Sequence, residues 1–414
     1  MSRRNFILLI IALVIIIFLG FYFFSTPSTP TGDTTSTGGF FSNLNPFGKT
    51  TPSTPTPTDN TNTIINEENP PTETEKRKLV KVSSMPVAGY ASFEKEKMPK
   101  EYSTTLRYVD RATGNIYQTY TDEIQETKFS YTPIPRVYEA VFGNDANTVI
   151  MRYLKGDDRT IETFISTLPK EKVGVENTPA IDIKGSFLSA NISDLSLSPD
   201  NLKVFYLITS NNTTSGIVLN LKDNKKTQVL SSPFTEWLSS WAGDKTQFIN
   251  TKASGLALGY LYKIESNKLL TKVLGDITGL STLPNRNGKL VLFNDSSLSL
   301  NFYNTNTKTT QTLGIQTQVD KCVWSRDNIT VYCAVPKNIS GVLYPDSWYQ
   351  GETSFNDQIW MINTAERSNS FIVDPSILNE GEEIDGIKLS LDQNENNLFF
   401  VNKKDSFLWQ YSLK

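Results

Sequence analysis

Beyond residue 76 the chain is a succession of short apolar segments punctuated by Gly, Asn, Asp and Pro. The segments recur as a four-part unit about every 40 residues, and the last unit stops one segment short. These observations predict an all-β fold, a seven-bladed β-propeller closed by an N-terminal strand and preceded by one transmembrane helix and a disordered stalk. Six or eight blades are the alternatives in number, and two packed β-domains the alternative in architecture.

Residues 6–24 read FILLIIALVIIIFLGFYFF, an uncharged apolar run that as a helix spans about 28 Å, the thickness of a bilayer core. Arg3 and Arg4 precede it and no basic cluster follows closely, so residues 1–5 are expected to be a cytoplasmic tail and the remainder to be exported. A cleaved signal peptide is the rival, but the run is long for one and ends in FFSTP without a small-x-small site. Residues 25–76 are dominated by Thr, Pro, Ser, Asn and Gly, with too little apolar surface to offset ordering entropy. This linker has a coil dimension of about 35 to 42 Å. The island FFSNLNPFG within it reads as an apolar patch of a disordered stalk.

Residues 77–414 form the predicted propeller domain. Its clearest unit is residues 193–232, an apolar strand, the turn SPDN, the strongly apolar strand KVFYLITS, a third strand, then a Lys/Thr-rich turn and a fourth. Third strands are expected around Phe164, Leu219, Tyr262, Tyr303, Trp360 and Trp409, and PVAGYASF opens a further copy. After Trp409 no fourth strand remains, whereas KLVKVSS at 78–84 resembles the fourth strands KTQVLSS and LLTKVLG. Residues 78–84 are therefore expected to complete the last blade, which removes the open sheet edges.

The SPDN turn and the KVFYL that follows resemble the S-P-D-G-K turn of TolB-type and WD-repeat-like propellers. The whole of 78–414 resembles uncharacterised, stalk-anchored propeller proteins of small-genome bacteria. Ser198 to Lys203 carries the motif, and most other units replace its Pro or Gly. The resemblance implies a fold and no particular activity.

The chain has 40 Lys+Arg, 43 Asp+Glu and a net charge of −3, with no long basic run, so no nucleic acid is expected as a partner. It has 0 His, which removes Ser-His-Asp and Cys-His catalysis and every imidazole metal site. With 2 Cys a thiolate zinc site is also excluded. No catalytic residue, cofactor or metal ligand is predicted.

Cys322 and Cys333 flank SRDN, and a two-residue turn at Asp327-Asn328 would set them directly opposite each other, which predicts a disulfide in an oxidising compartment. Residues 336–357 lengthen blade six between its second and third strands. There Tyr344, Asp346, Trp348, Tyr349, Phe355 and Asp357 combine aromatic rings with carboxylates, as a sugar- or peptide-binding loop does. The alternative is that these aromatics fold back over a blade edge. Arg107, Asp110 and Arg111 read as a solvated charged face without a role. The function expected is a non-enzymatic binding or scaffolding module of the cell envelope, with the membrane through 6–24 and an envelope protein or glycan as partners. The alternative is a carboxylate-dependent enzyme acting on envelope polysaccharide.

Overall fold

A computed structural model describes residues 78–414 except 132–133, 172–179, 244, 341–342 and 380. The tail, apolar helix and stalk expected over 1–76 lie outside the described residues. Among the described residues no helix is long and apolar enough to cross a membrane.

Seven four-stranded antiparallel sheets follow one another along the chain. Their first strands are Val87–Met98, Val137–Gly143, Ile192–Leu197, Trp237–Ala242, Ser281–Pro284, Cys322–Trp324 and Gly386–Leu391. First strands of neighbouring blades pack together, which makes them the inner strands around the axis. Successive strands step outward in chain order. Blade two alone takes a longer route to its fourth strand, Gly185–Phe187, by way of Ile181–Asp182, which pairs in parallel with Ser130–Tyr131.

The strongly apolar second strands follow from this stacking, because a blade packs on both of its faces. Val204 and Tyr206 point towards blade two, whereas Phe205 and Leu207 point towards blade four. Leu398 and Phe400 likewise meet blade six while Phe399 and Val401 meet blade one. There are seven inter-blade apolar clusters, one for each neighbouring pair including blades seven and one. The blade number is therefore seven, since the last interface returns to the first blade.

Closure is made by the strand Leu79–Lys81, which pairs antiparallel with Leu408–Ser412: Leu79 opposes Tyr411, Val80 opposes Gln410 and Lys81 opposes Trp409. The ammonium of Lys81 lies 4.4 Å from the Phe407 ring centre and 5.1 Å from that of Trp409. The Ser83 hydroxyl accepts the Leu408 N–H at 2.9 Å. Strand direction places residue 78 on the face that carries the turns between first and second strands, here the hairpin face. Loops between second and third strands, and between blades, lie on the opposite connecting face.

Four hairpin-face turns share one geometry. In Ser198–Lys203, Asn285–Leu290, Ser325–Thr330 and Asp392–Asn397 the first N–H donates to the last carbonyl, and the fourth N–H to the first carbonyl. The fourth residue has positive φ in each, at Asn201 (56°), Gly288 (71°), Asn328 (63°) and Glu395 (53°). Asn tolerates this left-handed conformation, which is why SPDN works where the resembling motif has Gly.

Candidate functional site

Polar side chains from five blades converge on the inner strands. The Arg152 guanidinium pairs with Glu139 and donates to the carbonyls of Ile192 (2.5 Å) and Ser193 (3.1 Å). A register shift between Ile192 and Asp194 leaves those carbonyls available, so Arg152 ties blade two to the irregular edge of blade three. Beside it the Asp194 carboxylate accepts from both the N–H and the hydroxyl of Ser239 in blade four. Burial pushes the Asp194 pKa up to about 6; the Ser239 bonds oppose that, and the Glu139 charge adds to it.

Across the ring, Lys388 of blade seven donates to the Ala88 carbonyl at 2.7 Å, and Tyr90 of blade one donates to the Lys388 carbonyl at 2.5 Å and accepts from Ser390 at 3.0 Å. Lys388 keeps an exposed surface, yet desolvation holds its pKa below the usual lysine value. Every one of these charges has a partner within the protein.

The blade-six insertion lies on the connecting face. Tyr344, Trp348 and Phe355 are buried with Leu298 in an apolar cluster of their own, with Tyr344 and Phe355 ring centres 5.6 Å apart. Asp357 is fully buried as well. Four of the six residues singled out from the sequence thus form or support a cover over the ring, because a long insertion can fold back on the blades it crosses. Asp346 is half-buried and accepts the Gly255 N–H of blade four at 2.6 Å, anchoring the insertion two blades away.

Tyr349 differs, with 44% of its surface exposed. Its hydroxyl donates to Asp320 at 2.8 Å and lies 3.3 Å from the Ser281 hydroxyl. Ser281 begins the inner strand of blade five, and Asp320 sits in the 3-10 turn Val319–Lys321 leading into that of blade six. The ring of Tyr349 is therefore fixed at the axial rim. Although both residues keep exposed surface, the protein packed around their polar ends desolvates them: this raises the Asp320 pKa and, with the Asp320 charge, that of Tyr349, so the phenol keeps its proton.

Beneath the cover Lys321 lies 2.7 Å from Asp357 and also pairs with Asp385, all three side chains being without solvent exposure. Asp385 further accepts from the Trp348 indole (3.0 Å), Ser354 (3.2 Å) and the Phe355 N–H (3.0 Å). Neither Lys321 nor Asp385 stands out in the sequence. Nothing in a single sequence joins residues 64 positions apart.

On the hairpin face a cavity of about 290 Å³ opens between blades one and two, lined by Phe93, Lys95, Arg107, Asp145 and Glu171 among others. Arg107 corrects the sequence reading of a solvated face, being only 3% exposed. Its guanidinium lies over the rings of Phe129 (4.2 Å) and Phe93 (4.8 Å) and bonds Gln118, Glu171 and the Ala146 carbonyl. Burial lowers its pKa to about 10, still cationic at neutral pH. Asp110 is buried too and caps its own turn through the N–H of Ala112. The strand is polar in composition but lies between two blades, which charge alternation alone does not reveal.

Cys322 and Cys333 are directly opposed and joined, with Sγ atoms 2.10 Å apart and Cα atoms 4.1 Å apart. The expected two-residue turn is corrected: the ladder ends at Trp324 and Val331, and Arg326–Ile329 form a four-residue turn. Its centre is unchanged, so the register is too. The Asp327 carboxylate caps it by accepting from the N–H groups of Ile329 (2.7 Å) and Thr330 (2.8 Å).

Among the described residues no group of three or more Cys, Asp or Glu is arranged to hold a metal ion. The topology and the closed ring define the chain as a seven-bladed β-propeller. No protein-family profile and no curated protein matches the sequence. Among solved structures it is similar to the β-propeller domain of Cps50 (Swd1) from Myceliophteria thermophila, with 8% identity and a TM-score of 0.49 over 80% of this chain and 98% of that one. It is also similar to a protein of unknown function from Desulfotomaculum acetoxidans DSM 771, at 13% identity and TM-score 0.42 over 74% of this chain and 89% of that one. TolB from Acinetobacter baumannii follows at 9% identity and TM-score 0.40, over 68% and 78%. Likeness at this level carries no functional assignment.

Proposed function

We propose that the chain is a membrane-tethered, extracytoplasmic binding or scaffolding propeller of the cell envelope, anchored by residues 6–24 and held out on the 25–76 stalk. The observation that carries the binding role is the unequal distribution of exposed apolar side chains. Among the described residues, six of the twelve large ones, Tyr131, Phe234, Leu256, Leu258, Ile377 and the pinned Tyr349, lie at the connecting face, against four on the hairpin face. A rigid face with exposed aromatic and aliphatic groups is what a partner surface needs. The described chain enters the propeller on the hairpin face. An envelope protein or glycan is the expected partner.

A photo-crosslinking residue at Leu256 or Tyr349, in cells carrying the full chain, is expected to capture an envelope component that the same residue at Leu269 on the hairpin face does not. Equal capture from both faces contradicts the assignment. For the tether, protease added to intact spheroplasts is expected to remove the propeller, and protection of the whole domain contradicts it.

One observation favours the enzymatic reading instead, namely the raised Asp194 beside Glu139. Both carboxylates are, however, already engaged, by Ser239 and by Arg152, and neither is left to meet a substrate. Hydrolysis of envelope polysaccharide by the purified chain, abolished in Asp194→Asn, would overturn the non-enzymatic assignment.

A further inference from the structure

The buried group under the insertion holds one amine and two carboxyls in contact, away from water. Lys321, Asp357 and Asp385 have no exposed surface, and the rings of Trp348 and Phe355 each lie 5.3 Å from the Lys321 ammonium. A cation with two anions leaves an uncompensated negative charge in an apolar place, and each buried ion has lost its hydration. The two carboxyls are also unequal. Asp385 accepts from Trp348, Ser354 and Phe355 as well as Lys321; burial would raise its pKa, but the Lys321 charge and these bonds together lower it. Asp357 accepts from Lys321 and from the Gly386 N–H at 2.7 Å, and its Oδ1 is buried with no hydrogen-bond partner. Burial first, and the neighbouring Asp385 charge after it, push the Asp357 pKa up to about 6 against the pull of Lys321. One carboxyl is thus readily neutral and the other held ionised.

We propose that Lys321 and Asp357 condense to an intramolecular isopeptide bond, with Asp385 as the proton acceptor. Ammonium–carboxylate pairs in water do not condense, because hydration favours the two charged forms and the amine lone pair is occupied by a proton. Here Asp357 is pushed towards its neutral, electrophilic form, and fixed contact replaces a bimolecular encounter. The Lys321 ammonium gives one proton to the Asp385 carboxylate. The freed amine lone pair attacks Cγ of protonated Asp357, whose Oδ2 is polarised by the Gly386 N–H. The tetrahedral adduct then breaks a C–O bond and expels one water, which carries off a hydroxyl of the former carboxyl and a proton of the amine. An ammonium, a carboxylate and a carboxylic acid become an amide, a water and a carboxylic acid. Atoms and charge balance, no oxidant or cofactor is needed, and every buried charge of the group is removed. The bond would clamp the 3-10 turn before the inner strand of blade six to the first residue of its third strand, Asp357–Asn363, stapling the base of the insertion.

Intact-mass measurement on the full-length chain, unfolded and reduced, tests this directly. The expected result is a mass lower than the sequence mass by one water, with a branched proteolytic peptide joining Lys321 to Asp357. A chain at full sequence mass with only linear peptides overturns the proposal. So does a branch at Lys403, whose ammonium lies 4.9 Å from the Trp348 ring, or a water loss that hydroxylamine cleaves at Asp385-Gly386, the mark of a succinimide. Asp385→Asn is expected to stay at full mass while folded. If that variant condenses as completely as wild type, the role given to Asp385 is wrong, and if it does not fold the wild-type mass still decides.

Discussion

At the scale of single residues, Asp194 binds a proton over a pH range in which an unfolded aspartate has already lost it. Its folded pKa of about 6 lies above the ordinary value of 3.8, so between these limits the folded state holds more protons than the unfolded one. Its contribution is therefore favourable at acid pH, is lost as pH rises through the window, and is constant above it. Replacement by Asn keeps an acceptor for Ser239 and removes the ionisation. Asp194→Asn should gain on wild type between about pH 4 and 6, by up to about 3 kcal/mol, in paired urea-unfolding curves. Curves that stay parallel across that range contradict the account of its burial. The cysteine pair gives a second prediction. Its ladder is held by backbone bonds and by Trp324 on the same side as Cys322, so Cys322→Ser with Cys333→Ser should fold and lose about 2 to 3 kcal/mol. Thiol titration of the unfolded, unreduced chain should find none free; two free thiols contradict the bridge.

Among elements, the blade-six insertion has a stability of its own to lose. Trp348 carries its apolar cluster, stacking on Phe355 at 6.4 Å between ring centres and donating its indole N–H to Asp385. Trp348→Ala is expected to cost about 3 to 5 kcal/mol and to expose residues 343–356 to protease before the ring itself melts. An insertion that stays protected in that variant is not held by this cluster. The sequence made the insertion legible as an interruption of a regular repeat, but not its orientation, since aromatics beside carboxylates suit a binding loop and a folded-back cover equally. The second strands were legible for a simple reason: both of their faces are buried, so Val204 to Leu207 reads as an unbroken apolar run. Arg107 was not, because its burial depends on rings from Phe93 and Phe129 and on a glutamate, Glu171, supplied by the next blade.

For the whole molecule, seven blades share seven interfaces, and only the seventh blade is assembled from both ends of the described chain. This was foreseeable because a missing final strand and a matching segment at 78–84 are visible in sequence, whereas the apolar asymmetry between the two faces needs the loops in space. The strand Leu79–Lys81 contributes Leu79 to the cluster between blades six and seven, and Val82 just beyond it contributes to that between blades seven and one. Its loss would open one sheet edge and weaken two interfaces at once. The central claim is a ring closed by this strand, and equilibrium unfolding of two truncated chains tests it most directly. Removal of 1–76 should leave a domain that unfolds in one cooperative transition. Removal of 1–84 should abolish most of that cooperativity and lower the midpoint. If the two truncations unfold alike, the ring does not depend on its N-terminal strand and the closure described here is wrong.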